Sequence, residues 1–165
     1  MSIFSRLETF AYKHVFVPRQ GKHTFDFIGD LYSKGEKVID FGSGIGTNSR
    51  LFSPDDYIGL EINKSRVSES CRAFPNYNFQ AISLINTESD RLPIEDNSHD
   101  IIFISLCLHH IDSKTCKLLF AEFRRILKRG GRILGIEPCI MPCLLYTSDA
   151  ADDTPCVDLG GRRII

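Results

Sequence analysis

The chain alternates between short apolar segments and longer segments in which apolar residues recur at helical spacing. The short segments read VIDF, YIGLE, NFQAI, DIIFISL and RILGIE, and each is bounded by glycine, proline or polar residues. Mostly apolar runs of this length predict strands, and the most continuous of them, DIIFISL, predicts a strand covered on both faces. We therefore expect a sheet in which this segment is a central strand.

The segments between the strands predict helices. NKSRVSESCRAF begins at Asn63, whose side chain is suited to cap a helix, and stops before Pro75. SKTCKLLFAEFRRILKRGG carries one apolar stripe, and Gly130 is expected to end this helix in the left-handed conformation. The stripe consists of Leu119, Phe120, Phe123, Ile126 and Leu127. HTFDFIGDLYSKG predicts a helix before the first strand, and NSRLF predicts a brief helix after it.

Alternation of strands and helices is typical of an α/β fold. The order predicts a Rossmann-like, doubly wound sheet that is mostly parallel and has helices on both faces. In such a sheet, ligands bind outside the carboxyl ends of the strands, near the point where the strand order reverses. Functional residues are therefore expected at those ends.

Composition narrows the classes of function. Of the 165 residues, 42% are hydrophobic and 25% are charged, as in an ordinary globular domain. The net charge of −1 gives no broad attraction to nucleic acid or anionic lipid, and no segment approaches the length of a membrane-spanning helix. The first residues lack the features of a secretory signal. Six cysteines without a C-x-x-C pair indicate reduced thiols rather than a zinc site, so we expect a cytoplasmic protein without a metal.

The candidate chemistry lies in VIDFGSGIG, where three glycines follow the first predicted strand. Gly42, Gly44 and Gly46 let the backbone approach a ligand closely. A dinucleotide fingerprint, G-x-G-x-x-G, would place its third glycine where Thr47 stands. Asp40 would put negative charge beside a pyrophosphate, so the loop fits better with a ligand that carries a positive group, such as S-adenosylmethionine.

A second carboxylate, Glu61, ends the second predicted strand. A carboxylate at this point can accept hydrogen bonds from both hydroxyls of a ribose. Dinucleotide enzymes use the same arrangement. Glu61 therefore predicts an adenosine ribose without choosing between the two cofactors.

Four segments together resemble the motifs of class I S-adenosylmethionine-dependent methyltransferases, with a methyltransferase type 11/25-like domain. They read VIDFGSGIG, YIGLEI, SDRLPIEDNSHDIIFISLCLHHI and EFRRILKRGGRIL, in the order and spacing of the family, and the resemblance covers residues 24 to 138. Two positions depart from the family pattern, because His99 replaces a phenylalanine and Arg129 replaces a proline. Neither touches the expected cofactor site.

The resemblance implies a role for each matching position in binding S-adenosylmethionine. The glycine loop would pass under the methionine part, Asp40 would hold the loop near the ammonium group, and Glu61 would bind the ribose. The remaining positions would pack on adenine, bind its edge, or face the methionine and methyl groups. The full cofactor-binding set is Asp40, Gly42, Ser43, Gly44, Gly46, Glu61, Ile62, Glu88, Ser89, Ser105 and Leu106.

Catalytic candidates follow the fourth strand. Methyl transfer from a sulfonium needs a general base only when the nucleophile must lose a proton. His109 and His110 stand beside the expected methyl position; either could act as base or orient substrate, or His110 could only fix the loop by a hydrogen bond. Glu137 could face substrate or be a simple strand-end acid. Residues 12–14 could fold over the cofactor or pack on the surface.

The methyl acceptor is expected to be a small molecule. SLCLHH follows the fourth strand where enzymes that methylate amino groups of bases or glutamine carry an Asn-Pro-Pro-Tyr-type motif. Methylation of such amino groups is therefore not expected, and carbon, oxygen or sulfur of a metabolite, quinone or lipid precursor stays open as the acceptor. Two other functions stay open at this point, namely a nicotinamide-dependent oxidoreductase and a non-catalytic module that binds the cofactor.

The last residues do not continue the fold pattern. Residues 143–165 show no helical stripe and no paired strand pattern, and they resemble the conceptual translation of a sequencing adapter. We therefore predict three regions: an N-terminal cover segment (1–23), an incomplete methyltransferase domain (24–142) and a non-native tail (143–165). The domain would then lack its last strands, and this truncated chain could be inactive.

Overall fold

The computed structural model describes residues 28–29, 31–87 and 89–137. The chain divides into two compact units, residues 1–34 and 35–165. In the first unit, the backbone N–H groups of Leu31 and Tyr32 both donate to the carbonyl oxygen of Ile28 at 2.9 Å, which closes a helical turn. Residues 23–27 and 30 of the helix predicted before the first strand lie outside the described residues, as do the predicted cover segment and the predicted tail. Residues 31–35, which the prediction included, are not helical.

The second unit is built on a five-stranded sheet in which every pairing is parallel and the order is β3-β2-β1-β4-β5. Its strands are β1 (Val38–Phe41), β2 (Tyr57–Glu61), β3 (Asn78–Ala81), β4 (His99–Ser105) and β5 (Leu127–Ile136). Two α-helices, α1 (Lys64–Ala73) and α2 (Ser113–Ile126), and three short 3₁₀ turns (Thr47–Leu51, Pro54–Asp56 and Leu108–His110) connect them. The predicted Rossmann-like fold is confirmed.

Each face of the sheet carries its own apolar layer. On one face, Phe41 of β1 meets Phe123 of α2 edge to face, with ring centroids 5.1 Å apart. On the other face, Phe52 packs against Tyr57 and Phe103 with centroids 5.8 and 5.5 Å apart. Side chains of β4 are completely buried at successive positions from Ile101 to Ile104. This explains why β4 is apolar without alternation.

The structure agrees with the predicted start of α1 but not with the predicted end of α2. Asn63 caps α1 as predicted, because its Oδ1 accepts the backbone N–H groups of Ser65 and Arg66 at 3.0 and 3.3 Å. The predicted end of α2 at Gly130 is wrong, since this helix ends at Ile126. Gly130 does have a positive φ of 84°, but it lies within β5.

Hydrogen bonds from another segment explain the early end of α2. The N–H of Asn97 donates to the carbonyl of Arg125, and the N–H of Ser98 donates to that of Ile126, both at 2.9 Å. These carbonyls belong to the last turn of the helix, where no partner is available within the helix itself. The backbone is therefore free to turn into the sheet at Leu127, which pairs with His99.

Two charged residues of EFRRIL, Glu122 and Arg125, hold the connection before β4. Glu122 is buried, and its carboxylate accepts the backbone N–H of Leu92 at 3.1 Å and the guanidinium of Arg91 at 2.7 Å. Arg125 pairs with Glu122 at 2.7 Å and also donates to the carbonyl of Ile94 at 2.8 Å. These two residues of α2 therefore have a structural role, because they fix the segment that leads into β4.

His99, which replaces a phenylalanine in the family pattern, is a buried histidine at the beginning of β4. Its Nδ1 lies 2.8 Å from Oγ of Ser98. Burial, together with the positive charges of Lys37 and Lys128, lowers the pKa of His99 from 6.5 to about 4, although Asp100 opposes the shift. The ring is therefore neutral in the folded protein at neutral pH.

His99→Phe is expected to reduce the loss of stability in acid. In the wild type, the unfolded chain binds a proton at His99 below about pH 6.5 while the folded chain resists it down to about pH 4, so stability falls through this window. We expect the variant to gain on the order of 1–2 kcal/mol relative to wild type between pH 7.5 and pH 4.5, because solvent screens part of the full effect. Urea unfolding at the two pH values measures the free energy of unfolding of both proteins. If the variant differed from wild type by the same amount at both pH values, the prediction would be wrong.

Among the residues that the structure describes, no helix is long and apolar enough to cross a membrane.

Candidate functional site

The glycine loop follows β1 and is tied to the end of β2. The N–H groups of Gly42 and Ser43 both donate to the carbonyl of Leu60, at 2.8 and 3.1 Å, and the N–H of Gly46 donates back to Ser43 at 2.9 Å. Gly42, Gly44 and Gly46 all have positive φ, at 76°, 58° and 81°. This is the left-handed region that favours glycine, so the loop conformation agrees with the glycine pattern.

The three glycines have different surroundings. A Cβ at Gly42 would overlap the side chain of Cys107, and a Cβ at Gly46 would lie 2.7 Å from the ring of Phe79 and 2.9 Å from Cβ of Ser70. A Cβ at Gly44 would meet nothing closer than the carbonyl of Gly42, 4.0 Å away. Gly42 and Gly46 are therefore required by the protein's own packing. Gly44 faces open space, where a ligand can approach the bare backbone.

Glu61 braces the loop from the end of β2. Its Oε2 accepts the N–H of Gly44 at 3.0 Å, its Oε1 accepts the N–H of Asn63 at 2.8 Å, and the residue is only 5% exposed. A carboxylate has about four acceptor positions, so it can also accept two ribose hydroxyls. The next residue, Ile62, is 56% exposed and is the exposed large hydrophobic residue of the described part of the chain. An apolar surface thus adjoins the predicted ribose site.

Asp40 is buried beneath this region, and one of its oxygens lacks a partner. Oδ2 accepts the hydroxyl of Tyr57 at 2.7 Å, whereas Oδ1 has no hydrogen-bond partner within the described structure. Burial is the largest cause that raises the pKa of Asp40 to about 7; the charge of Glu61 adds to it and the bond from Tyr57 opposes it. Glu61 rather than Asp40 accepts the Gly44 N–H, and the role of Asp40 in holding the loop stays a prediction.

Two hydroxyls of the loop region share this lack of partners. The Oγ atoms of Ser43, in the loop, and Ser49, in the turn that follows, are buried and unpaired within the described residues. Buried polar groups usually have hydrogen-bond partners, and exceptions often mark functional sites or bound water. The unpaired atoms of this unit thus cluster around the glycine loop and the strand that leads into it.

The end of β4 reaches the same edge of the sheet. Ser105 is the last residue of β4, and Leu106 follows with a φ of 52°, an unusual value for a residue with a branched side chain. The N–H of Leu106 donates to the carbonyl of Ile136 at 2.8 Å. This backbone turn places Cys107 against Gly42, and it therefore links the chain after β4 to the glycine loop.

Glu137, directly after β5, fixes the turn that carries both histidines. Its Oε1 accepts the N–H groups of Cys107 and Leu108, each at 2.7 Å, and its Oε2 lies 2.8 Å from Nδ1 of His109. Burial would raise the pKa of Glu137, but the bonds from His109 and the two backbone groups outweigh it and hold the pKa below its ordinary value. The histidine bonded to the loop is thus His109, whereas the sequence favoured His110 for that role.

The charges around Cys107 are negative. The pKa of the Cys107 thiol is raised to about 12, first by burial and then by the negative charges of Glu137, Glu61 and Asp40. Cys116 adds to this effect, and the Cys107 thiol stays protonated at neutral pH. A site with this charge attracts a cation and repels a pyrophosphate.

Of the two residues predicted to bind the adenine edge, the structure describes Ser89 but not Glu88. Glu88 lies outside the described residues, and so do Tyr12, Lys13 and His14. Ser89 is exposed, and its Oγ lies 2.9 Å from Oγ1 of Thr87. The neighbouring Asp90 accepts the N–H groups of Asn86 and Thr87 at 2.9 Å each, so Asp90 holds this loop together.

Comparison with known proteins decides the family. A model described as "Methyltransferase domain" matches residues 39–135, which is more than half of the chain. The chain belongs to this family. The family predicted from the sequence motifs is thereby confirmed, and the matched range contains the glycine loop, Glu61 and both histidines.

Curated relatives of this methyltransferase domain have known names. The chain is 30% identical over 105 residues to a demethylmenaquinone methyltransferase of Beutenbergia cavernae, across 62% of this chain and 41% of that protein. It is 33% identical over 110 residues to a ubiquinone/menaquinone biosynthesis C-methyltransferase of Pasteurella multocida, across 63% and 40%. The chain thus spans about two fifths of the length of the curated relatives it matches.

Solved structures agree with the fold of the methyltransferase domain. The YcgJ protein of Bacillus subtilis has a TM-score of 0.58 and 25% identity, covering 70% of this chain and 50% of that one. A TehB-like S-adenosylmethionine-dependent methyltransferase of Corynebacterium glutamicum has a TM-score of 0.61 and 16% identity, covering 79% and 72%. At that identity, the second likeness shows the fold alone.

Proposed function

We propose that this domain binds S-adenosylmethionine and that the complete protein transfers its methyl group to a small-molecule acceptor. The observation that carries the proposal is the arrangement of three carboxylates around the glycine loop. Glu61 accepts the N–H of Gly44. Glu137 accepts the N–H of Cys107, which packs against the loop, and Asp40 lies buried in the strand that leads into it. S-adenosylmethionine carries a sulfonium and an ammonium and has no phosphate. Its charge therefore complements that of the site.

The residues of the chain fit the parts of this cofactor. Glu61 would accept the ribose hydroxyls with the acceptor positions that Gly44 and Asn63 leave free, and Ile62 would cover the adenine. The open backbone at Gly44 would lie against the methionine part, with the unpaired Oδ1 of Asp40 supplying negative charge nearby. When bound, the sulfonium supplies an electrophilic methyl group, and the protein's part is to orient the acceptor and exclude water.

The acceptor class and the compartment are finer proposals. One curated relative is named as a demethylmenaquinone methyltransferase and the other as a ubiquinone/menaquinone biosynthesis C-methyltransferase. These names support a hydroxylated aromatic ring as the first acceptor class to test. Free thiols at Cys71, Cys107 and Cys116 fit a reducing compartment, which supports a cytoplasmic protein.

Calorimetric titration with S-adenosylhomocysteine and, separately, with NAD tests the cofactor. We expect binding of the first and none of the second, because the three carboxylates would repel a pyrophosphate. Glu61→Gln is expected to weaken S-adenosylhomocysteine binding roughly tenfold to a hundredfold, since charge-assisted bonds to the ribose are lost. Glu95→Gln, an exposed acid outside the site, is the matched control.

Three results would decide against parts of the proposal. Heat from NAD alone would favour the oxidoreductase alternative. Equal affinity for S-adenosylhomocysteine in Glu61→Gln and Glu95→Gln would show that the ribose site lies elsewhere. If the complete protein bound the cofactor but methylated no acceptor in a broad set, the non-catalytic alternative would be favoured.

A further inference from the structure

Glu137 and His109 form an ordered pair at the ends of β5 and β4. We propose that His109 accepts a proton from the methyl acceptor through Nε2, that Glu137 is the positioning residue that fixes this tautomer, and that the acceptor is a hydroxyl-bearing phenol or enol, a class that must lose a proton. The proposal rests on the proposed function, because it names the acceptor class of the same site.

The hydrogen-bond pattern determines which ring nitrogen carries the hydrogen. Oε1 of Glu137 accepts two backbone N–H groups, those of Cys107 and Leu108. These groups can only donate, so they favour the ionised carboxylate, and an ionised carboxylate can only accept. The atom 2.8 Å from Oε2, Nδ1 of His109, must therefore be protonated. In the neutral ring, Nε2 is then the acceptor.

The backbone holds this pair on the ligand side of the sheet. Leu106 is hydrogen-bonded to the end of β5, and Cys107 packs against Gly42 of the glycine loop, so the residues that lead into the histidine are fixed to two neighbouring elements. The side chain of His109 is 34% exposed, which leaves the ring accessible to a ligand. A general base next to a cofactor-binding loop needs a fixed backbone position and a side chain that the ligand can reach.

His109 fits this role better than His110. The two rings lie with centroids 3.8 Å apart, but within the described residues His110 has no carboxylate partner that would fix its tautomer. The titratable groups that face His109 are Glu137, from the end of β5, and His110, from the same turn; Cys107 lies two residues earlier. The acid–histidine pair resembles the arrangements that orient a catalytic histidine.

The chemistry explains the acceptor class. The hydroxyl hydrogen of the acceptor moves to Nε2 of His109, and an electron pair of the oxygen, or of the ring carbon conjugated to it, forms the new bond to the methyl carbon. Where the ring carbon is methylated, it then loses its own hydrogen as a proton and the oxygen regains one, which restores the aromatic ring. The bond between the methyl carbon and sulfur breaks, and its electron pair stays on sulfur as a neutral thioether. Glu137 stabilises the imidazolium, which then returns its proton to water. A thiolate or tertiary amine would need no such base.

Nitrogen-15 NMR of the histidine side chains in the 165-residue chain measures the tautomer directly. We expect the Nδ1–H tautomer of His109 to exceed the other roughly tenfold in the wild type and to lose most of that excess in Glu137→Gln. Asp112→Ala is the control for a general structural effect, because Asp112 caps α2 just after the turn. A predominant Nε2–H tautomer in the wild type would overturn the proposal, as would an equal change in both variants.

The acceptor class is tested with hydroquinone and with 1,4-dimethoxybenzene, which has the same ring but no hydroxyl hydrogen. In the presence of S-adenosylhomocysteine, hydroquinone is expected to shift the Nε2 resonance of His109, and dimethoxybenzene is expected to leave it unchanged. No shift with hydroquinone, or equal shifts with both probes, would overturn the acceptor class. Calorimetry of S-adenosylhomocysteine on the same wild-type sample separates this outcome from a failure of the proposed function.

Discussion

Asp40→Asn is expected to stabilise the fold by about 2–4 kcal/mol at pH 8 while it weakens binding of S-adenosylhomocysteine. The stabilisation follows from burial: Asp40 is 1% exposed, its pKa is raised to about 7, and Oδ1 has no partner in the described structure. Asparagine keeps the shape and can still accept the hydroxyl of Tyr57. It removes the buried charge, although its amide still needs a partner.

The pH dependence of this effect has a definite sign. The folded protein holds the Asp40 proton up to about pH 7, whereas the unfolded chain releases it near pH 3.8. The favourable contribution is therefore complete below about pH 4 and is lost as the pH rises through 7. The difference in unfolding free energy between variant and wild type should grow across this window. Urea unfolding at pH 5, 6, 7 and 8 measures it, with the exposed Asp55→Asn as the matched control.

Stability and binding are expected to change in opposite directions at this residue. A carboxylate that costs free energy in the ligand-free fold is explained if a cation later pairs with it, and functional sites often carry strain of this kind. A difference in stability that does not vary with pH would contradict the burial argument. Unchanged affinity for S-adenosylhomocysteine would instead remove Asp40 from the cofactor site.

The parts of the structure that sequence could predict depend on local patterns. The strands follow from short apolar runs, the glycine loop from residues that need positive φ, and the start of α1 from the capping side chain of Asn63. Each depends on neighbours within a few residues. The spacing of Asp40, the glycines and Glu61 then placed the candidate site at the ends of β1 and β2.

The remaining features depend on residues far apart in the chain. The end of α2 is set by N–H groups of Asn97 and Ser98 that replace the next helical turn, and no local signal reveals them. Glu61 was predicted as a ribose ligand, but its bond to the N–H of Gly44 requires the folded positions of both. The pairing of Glu137 with His109 also joins two elements, so the sequence left the role of each residue open.

Gly44→Leu is expected to abolish cofactor binding and leave the domain folded, with at least a hundredfold loss of affinity for S-adenosylhomocysteine. A Cβ at this position meets nothing closer than the carbonyl of Gly42, 4.0 Å away, so a side chain can begin there without a clash and would enter the space proposed for the methionine part. The left-handed φ of 58° is expected to cost about 1–2 kcal/mol of stability in any residue with a side chain. Calorimetry and thermal unfolding separate the two effects.

Two other glycines with positive φ serve as controls for this variant. Gly130→Leu has a similar backbone cost, since its φ is 84° and its surroundings are open, but it lies away from the loop and should bind normally. Gly42→Ala should instead lose about 3 kcal/mol or more of stability, because the added Cβ overlaps Cys107. If Gly44→Leu and Gly130→Leu bound S-adenosylhomocysteine equally well, the cofactor could not lie against Gly44. If Gly44→Leu unfolded as Gly42→Ala does, the space at Gly44 would serve the fold rather than a ligand.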